Sequence, residues 1–184
     1  AEQVAYDALS RRTQIVTPDN TLTFDYDAQS NMTAAADDDS AISFTYDEMN
    51  RTATATTDGT VGPQPASTLT YAYDLLDRRT SLTDHLGGTI GYGHDADDRL
   101  VRLDRPWGGS ITFDYDAQGR RTAMTRDGGS ASTMTYDAGG RLASLSHVLG
   151  TVPIKRYAFE YTPVGQLAVQ RDLDAPAASR SYVY

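Results

Sequence analysis

The stretch Thr-Phe-Asp-Tyr-Asp-Ala-Gln stands at Thr23–Gln29 and again, letter for letter, at Thr112–Gln118. Seven identical residues mark an internal repeat, and aligning the chain on the phrase exposes an array. Its registers are YDALSR at Tyr6, YDAQSN at Tyr26, YDEMNR at Tyr46, YDLLDR at Tyr73, HDADDR at His94, YDAQGR at Tyr115, YDAGGR at Tyr136 and YTPVGQ at Tyr161. A ninth opens at Tyr184, which predicts an excerpt from a longer array. Most steps are 20 or 21 residues, with stretched steps from Tyr46 to Tyr73 and from Tyr136 to Tyr161. A fixed period near twenty signals a repeat architecture in which each unit is one supersecondary element. No linker or composition shift interrupts the chain, so residues 1–184 read as one array of about eight repeats. The extra residues of the long steps lie near Gly59–Ala66 and Gly150–Lys155, and are expected to form lengthened loops.

Each repeat alternates two strand-like runs with two turn signals. Before the key tyrosines, apolar residues recur at every second position: Leu22-Phe24-Tyr26, Ile42-Phe44-Tyr46, Leu69-Tyr71-Tyr73 and Ile111-Phe113-Tyr115. Residues i, i+2 and i+4 share one face of a strand, so these side chains line one sheet face, opposite Thr, Ser and Asp. The expectation is an all-β fold: a repetitive antiparallel β-hairpin meander, about two strands per 21-residue repeat, forming a curved or spiral sheet, part of a hollow shell or barrel.

The aspartate after each tyrosine suits a turn, because its carboxylate accepts backbone N–H groups two or more residues on. Three positions after it stands Ser10, Ser30, Asn50, Asp77, Asp98, Gly119, Gly140 or Gly165, of which Gly and Asn tolerate positive φ most readily. Arginine usually follows, placed to pair with the repeat's aspartate or to cover the aromatic face. The structural residues of the motif are therefore Tyr26, Asp27, Tyr46, Asp47, Arg51, Tyr73, Asp74, Arg78, Tyr115, Asp116, Gly119, Arg120, Tyr136, Asp137, Gly140 and Arg141. Equivalent tyrosines lie two strands apart, roughly 9.5 Å at about 4.8 Å per strand. They cannot stack directly, and Leu100, Leu142, Leu145 and Leu167 are candidate fillers.

The recurring Tyr-Asp-x-x-Gly-Arg-Leu, most complete at Tyr136–Leu142, resembles the YD repeat. That repeat occurs in bacterial Rhs proteins, C components of Tc insecticidal toxins, wall-associated polymorphic toxins and animal teneurins. The resemblance implies a long antiparallel sheet spiralling into a hollow shell. In the toxins the shell encloses a C-terminal toxic polypeptide; in teneurins it serves recognition at the cell surface. Departures are His94 for tyrosine, Thr162-Pro163 for the aspartate and its neighbour, and Asn31 and Gln166 for arginine. Toxin shells end in an Asp-Pro-containing self-cleavage motif; the dipeptide is absent here, which reads as an interior stretch of repeats.

Composition narrows the function further. A net charge of −9 disfavours nucleic-acid binding, which uses basic patches. No apolar run approaches the roughly 18 residues of a membrane span, and the N-terminal AEQVAYDALSRR lacks signal-peptide character. There is no cysteine, hence no disulfide and no thiolate metal site. Acidic clusters at Asp37–Asp39 and His94–Asp98 match no calcium-loop pattern and read as turns. His85, His94 and His147 fall in or beside turns without an evident partner for base catalysis. The sequons at Asn31 and Asn50 lie in repeat turns, and the tyrosine rows read as a packed face in preference to a sugar platform.

The sequence thus points to a non-enzymatic scaffold without metal or cofactor, secreted or at the cell surface and bacterial. Such a scaffold helps a β-shell enclose or display a toxin or effector polypeptide. The alternative is an extracellular module binding carbohydrate or a cell-surface partner through turns and loops. Expected partners are flanking repeats of the parent chain, an enclosed toxin, and other copies pairing through free sheet edges.

Overall fold

The computed structural model describes residues 2–57, 59 and 65–183. Asp58, the centre of the first stretched segment (60–64) and the ninth register at Tyr184 lie outside the described residues. Two compact units divide the chain, Ala1–Gly91 and Tyr92–Tyr184. Among the described residues there are seventeen strands and one short 3-10 turn, Pro176–Ala178.

In the first unit the strands are β1 (Gln3–Tyr6), β2 (Arg12–Val16), β3 (Thr21–Tyr26), β4 (Met32–Ala36), β5 (Ala41–Tyr46), β6 (Thr52–Thr57), β7 (Ser67–Tyr73) and β8 (Arg79–Thr83); β9 (Thr89–His94) begins in it. Each pairs antiparallel with the next in sequence. The second unit repeats the pattern with β10 (Leu100–Asp104), β11 (Ser110–Tyr115), β12 (Arg121–Arg126), β13 (Ser130–Tyr136), β14 (Leu142–Leu149), β15 (Val152–Tyr161), β16 (Leu167–Asp172) and β17 (Arg180–Ser181). Its ladders are also antiparallel and consecutive. The architecture is an all-β antiparallel hairpin meander. Because consecutive hairpins alternate in direction, the Tyr-Asp turns within a unit all fall at the same end of its strands.

The predicted alternation appears in the exposure pattern. In β3, Leu22, Phe24 and Tyr26 are half-buried while Thr23 and Asp25 are exposed, and β5 and β7 repeat this. Across the sheet the register carries the stripe sideways, Phe24 to Ala35 to Ile42 and Phe44 to Ala55 to Leu69. Yet no hydrophobic side chain among the described residues is fully buried. The expected packed face is therefore a half-buried one: strands shield one another laterally, and within each unit the chain supplies no second layer.

A feature not foreseen from the sequence recurs in each described Tyr-Asp hairpin. Tyr26 faces Met32 but Asp25 faces Ala34, so Thr33 is an extra residue. The same shift leaves Thr13, Ala53, Thr80, Thr122, Ala143 and Ala168 unopposed. Each is a β-bulge, which bends the strand and increases its twist. The extra residue is always Thr or Ala, small enough to share the space opposite one partner.

The second stretched step is not a loop. Val152–Lys155 belong to β15, and Leu149 pairs with Val152 across a tight turn at Gly150. The extra residues lengthen the hairpin to strands of 8 and 10 residues. Pro153, which lacks a ladder donor, sits at a bulge between the His147 and Val148 pairings, where strands tolerate proline.

Positive φ occurs where the motif requires it. Ser10, Ser30, Asn50, Asp77 and Asp98 have φ of 61–71°, and Gly119 and Gly140 have 77° and 79°. Left-handed backbone costs a non-glycine residue roughly 1–2 kcal/mol. Gly119→Ala, whose added methyl would meet open space, is therefore expected to destabilise by about 1 kcal/mol. Ser10→Gly is expected to stabilise by up to about 1 kcal/mol. Paired urea titrations check both signs; equal shifts in one direction would refute the backbone explanation.

Candidate functional site: the tyrosine-arginine turn ladder

Each turn is built around its aspartate. In the first, Asp7 Oδ1 accepts the backbone N–H groups of Leu9 and Arg11, both at 2.9 Å, while Oδ2 accepts Arg11 Nε at 2.6 Å. The Asp7 N–H donates to the Arg11 carbonyl and the Ser10 N–H to the Asp7 carbonyl. The same side-chain and backbone bonds recur at Asp47–Arg51, Asp74–Arg78, Asp95–Arg99 and Asp116–Arg120. At Asp137–Arg141 the carboxylate again holds the arginine's backbone N–H and Nε.

These donors hold the carboxylates below the ordinary aspartate range. The arginine backbone N–H is the largest cause at Asp7, Asp47 and Asp137. Its guanidinium leads at Asp95 and Asp116, and the Asn31 amide leads at Asp27. At Asp74 burial is the largest influence and pushes upward, but the Arg78 and Leu76 donors and the Arg78 charge together outweigh it.

The arginines do more than close their own turns. The Arg11 guanidinium lies 4.7 Å from the centre of the Tyr26 ring, one repeat ahead, and donates to the Asp27 carbonyl at 2.9 Å. Arg51 covers Tyr73 at 4.7 Å and reaches the Asp74 carbonyl and Asp77 carboxylate, both at 2.8 Å. Arg99, Arg120 and Arg141 cover Tyr115, Tyr136 and Tyr161 at 5.0, 4.5 and 4.7 Å.

The tyrosine hydroxyls reach back the other way. Tyr26 donates to the Arg12 carbonyl, Tyr46 to Met32, Tyr73 to Thr52, Tyr115 to Leu100, Tyr136 to Arg121 and Tyr161 to Leu142, at 2.6–3.0 Å. The acceptor is always the residue after the arginine position of the preceding repeat. The guanidinium covers the tyrosine ring, and the adjoining strand sets Leu142 opposite Tyr136 and Leu167 opposite Tyr161. Leu100 and Leu142 contribute their carbonyls, while Leu145 sits between Met134 and Tyr157 and Leu167 faces Tyr161. Sequence reasoning offered aspartate pairing or cover of the aromatic face, and the structure shows both; it missed that the cover falls on the tyrosine of the next repeat, and it missed the hydroxyl bond. The signal was the recurring order of tyrosine, aspartate and arginine at a similar spacing.

The other sequence candidates resolve into structural roles. Asp37 accepts from Asn20, Asp39 and Ser40, which holds its carboxyl at about 2, the Ser40 hydroxyl being the largest cause. Asp95 is held by Arg99, and Asn31 by Asp27 and Asn50. His85 Nδ1 lies 3.3 Å from Ser67 Oγ, and His147 Nδ1 lies 2.8 Å from the buried Ser132 Oγ. Asp172, also buried, is ion-paired with Lys155 and accepts the Asp174 and Ala175 N–H groups, fixing the turn after β16. Among the described residues no group of three or more histidine or acidic side chains is placed to hold a metal ion.

Comparison with known proteins agrees with the repeat and the fold. The RHS Repeat family model matches residues 94–131 and 115–152. No curated protein matches the chain significantly. Among solved structures, the fold is similar to TcdB2-TccC3-TEV (TM-score 0.62, 12% identity) and to the Photorhabdus luminescens Tc holotoxin pore (0.64, 13%). A third match is TcdB2-TccC3 without its hypervariable C-terminal region (0.63, 12%). In all three, 94% of this chain superposes on 11% of the matched chain. The chain thus spans about a ninth of the length of those relatives in fold.

Proposed function

We propose that this RHS-repeat chain forms a length of wall in a β-shell that encloses or displays a toxin or effector polypeptide. The repeats make the chain a scaffold. The observation that carries the proposal is the cross-repeat cell: at five junctions among the described residues, one arginine and one tyrosine join a repeat to the next. Such a cell has no intrinsic end, which suits a wall extended by adding hairpins. The likeness in fold to parts of TcdB2-TccC3 supports the same reading. The expected setting is a protein secreted by, or on the surface of, a bacterium; no helix among the described residues is long and apolar enough to cross a membrane. Cryo-electron microscopy of the full-length parent tests the proposal. A sheet wound around an internal space that holds chain density is expected; a solid β-solenoid would refute enclosure.

A second reading, recognition of carbohydrate or a surface partner, draws on the apolar tips of the first unit's Tyr-Asp turns. Leu75 is 92% exposed, and Leu9, Met49 and Leu76 are exposed beside it in kind. Gly150–Lys155, being a strand hairpin, does not add a binding loop. Glycan-array binding lost on replacing Leu75 and Leu76 with serine would favour recognition, and silence on the array would leave the scaffold reading standing.

A further inference from the structure

The turn opened by Asp27 departs from its neighbours in a chemically specific way. Among the described residues, five cradles hold a guanidinium between the aspartate of one repeat and the tyrosine ring of the next. At the sixth, Asn31 stands in the arginine position. The cradle's walls are nevertheless present. Asp27 supplies its carboxylate, Asn50 its side-chain oxygen, and the Tyr46 ring is pinned by a 2.6 Å bond from its hydroxyl to the Met32 carbonyl. Asn31 Nδ2 donates to both oxygens, at 2.9 and 3.1 Å, but its amide is neutral and short. Among the described residues no cation covers the Tyr46 ring and no ion pair engages the Asp27 side chain.

We propose that Asp27, Tyr46 and Asn50 form a binding site for a guanidinium group from outside the chain, an arginine side chain of a partner polypeptide. The filled copies specify the ligand: in all five a planar cation stacks on the ring and donates to a carboxylate, and Arg11, Arg51 and Arg141 also donate to an oxygen of the next turn. Lysine, a compact charge without a planar fork, matches that set poorly. The chain's net charge of −9 draws such a partner in. The site stands on its own geometry and does not depend on the shell reading.

The test titrates N-acetyl-arginine amide into protein with labelled tyrosine rings, followed by nuclear magnetic resonance. Saturable shifts at Tyr46, with a dissociation constant on the order of millimolar, are expected for one exposed cation–π and ion-pair contact. Asn31→Arg fills the cradle from within; it is expected to weaken binding at least tenfold and to raise the melting temperature. Asn31→Ala releases both oxygens and is expected to tighten binding several-fold. Shifts that do not saturate, that are as large at Tyr73 or Tyr136, or that persist in Asn31→Arg would overturn the proposal. So would equal binding of N-acetyl-lysine amide, or an Asn31→Arg protein that melts no higher.

Discussion

Tyr115→Ala is expected to be the most damaging single substitution in the second unit, with a loss of roughly 2–4 kcal/mol, toward the low side of aromatic truncations because the ring is half-buried. Three contributions vanish together: the bond from its hydroxyl to the Leu100 carbonyl, the stacking with the Arg99 guanidinium, and the half-buried ring surface itself. Tyr115→Phe keeps the ring and removes only the hydroxyl bond, so it is expected to lose about 1 kcal/mol. Urea unfolding at an unchanged slope separates these from a change in the unfolded state. If Tyr115→Phe costs as much as Tyr115→Ala, the hydroxyl bond dominates and the guanidinium cover contributes little. If both are silent, the ladder does not hold the sheet together.

Acid is the second large perturbation. The turn aspartates Asp7, Asp27, Asp47, Asp74, Asp95, Asp116 and Asp137 all titrate below the ordinary aspartate value in the folded chain, and Asp37 does so at about 2. A folded pKa below the unfolded one contributes stability that is complete above the unfolded value, near 3.9, and is lost as the pH falls through the folded value. The melting temperature is therefore expected to be level, as far as these groups decide it, from neutral pH to about pH 5, and to fall steeply from about pH 4 toward pH 2. The effect is cooperative in origin: a protonated aspartate loses both its hold on the turn N–H groups and its pairing with arginine, which in turn loosens the next tyrosine. Thermal melts between pH 2 and 8 check it. A melting temperature that rises on acidification would reverse the sign and refute the role assigned to these carboxylates.

Much of the fold was legible because its unit is local. Alternation at Leu22-Phe24-Tyr26 demanded strands, Asp27 and Ser30 demanded a reversal, and repetition of that pair demanded a meander. Nothing in the alternation distinguished a face covered by a second layer from one shielded only by neighbouring strands, since both ask for the same side chains. The residues near Gly150–Lys155 misled because Gly and Pro signal loops when read one at a time. Pro153 is accommodated instead by a bulge, which depends on the partner strand.

The candidate site divides along the same line. Asp-to-arginine pairing within a turn spans four residues, a distance at which the chain brings groups together whatever lies around it. The arginine's cover of the next tyrosine, and that tyrosine's bond back to the carbonyl after the arginine position, join residues 14 to 22 apart. These contacts depend on strand order, register and the bulge at Thr or Ala. By itself the sequence determined the repeat, its strands, its turns and the aspartate at the centre of each. Only the tertiary structure decided how one repeat grips the next, because that grip exists across neighbouring hairpins, where distance is set by the sheet and not by the chain.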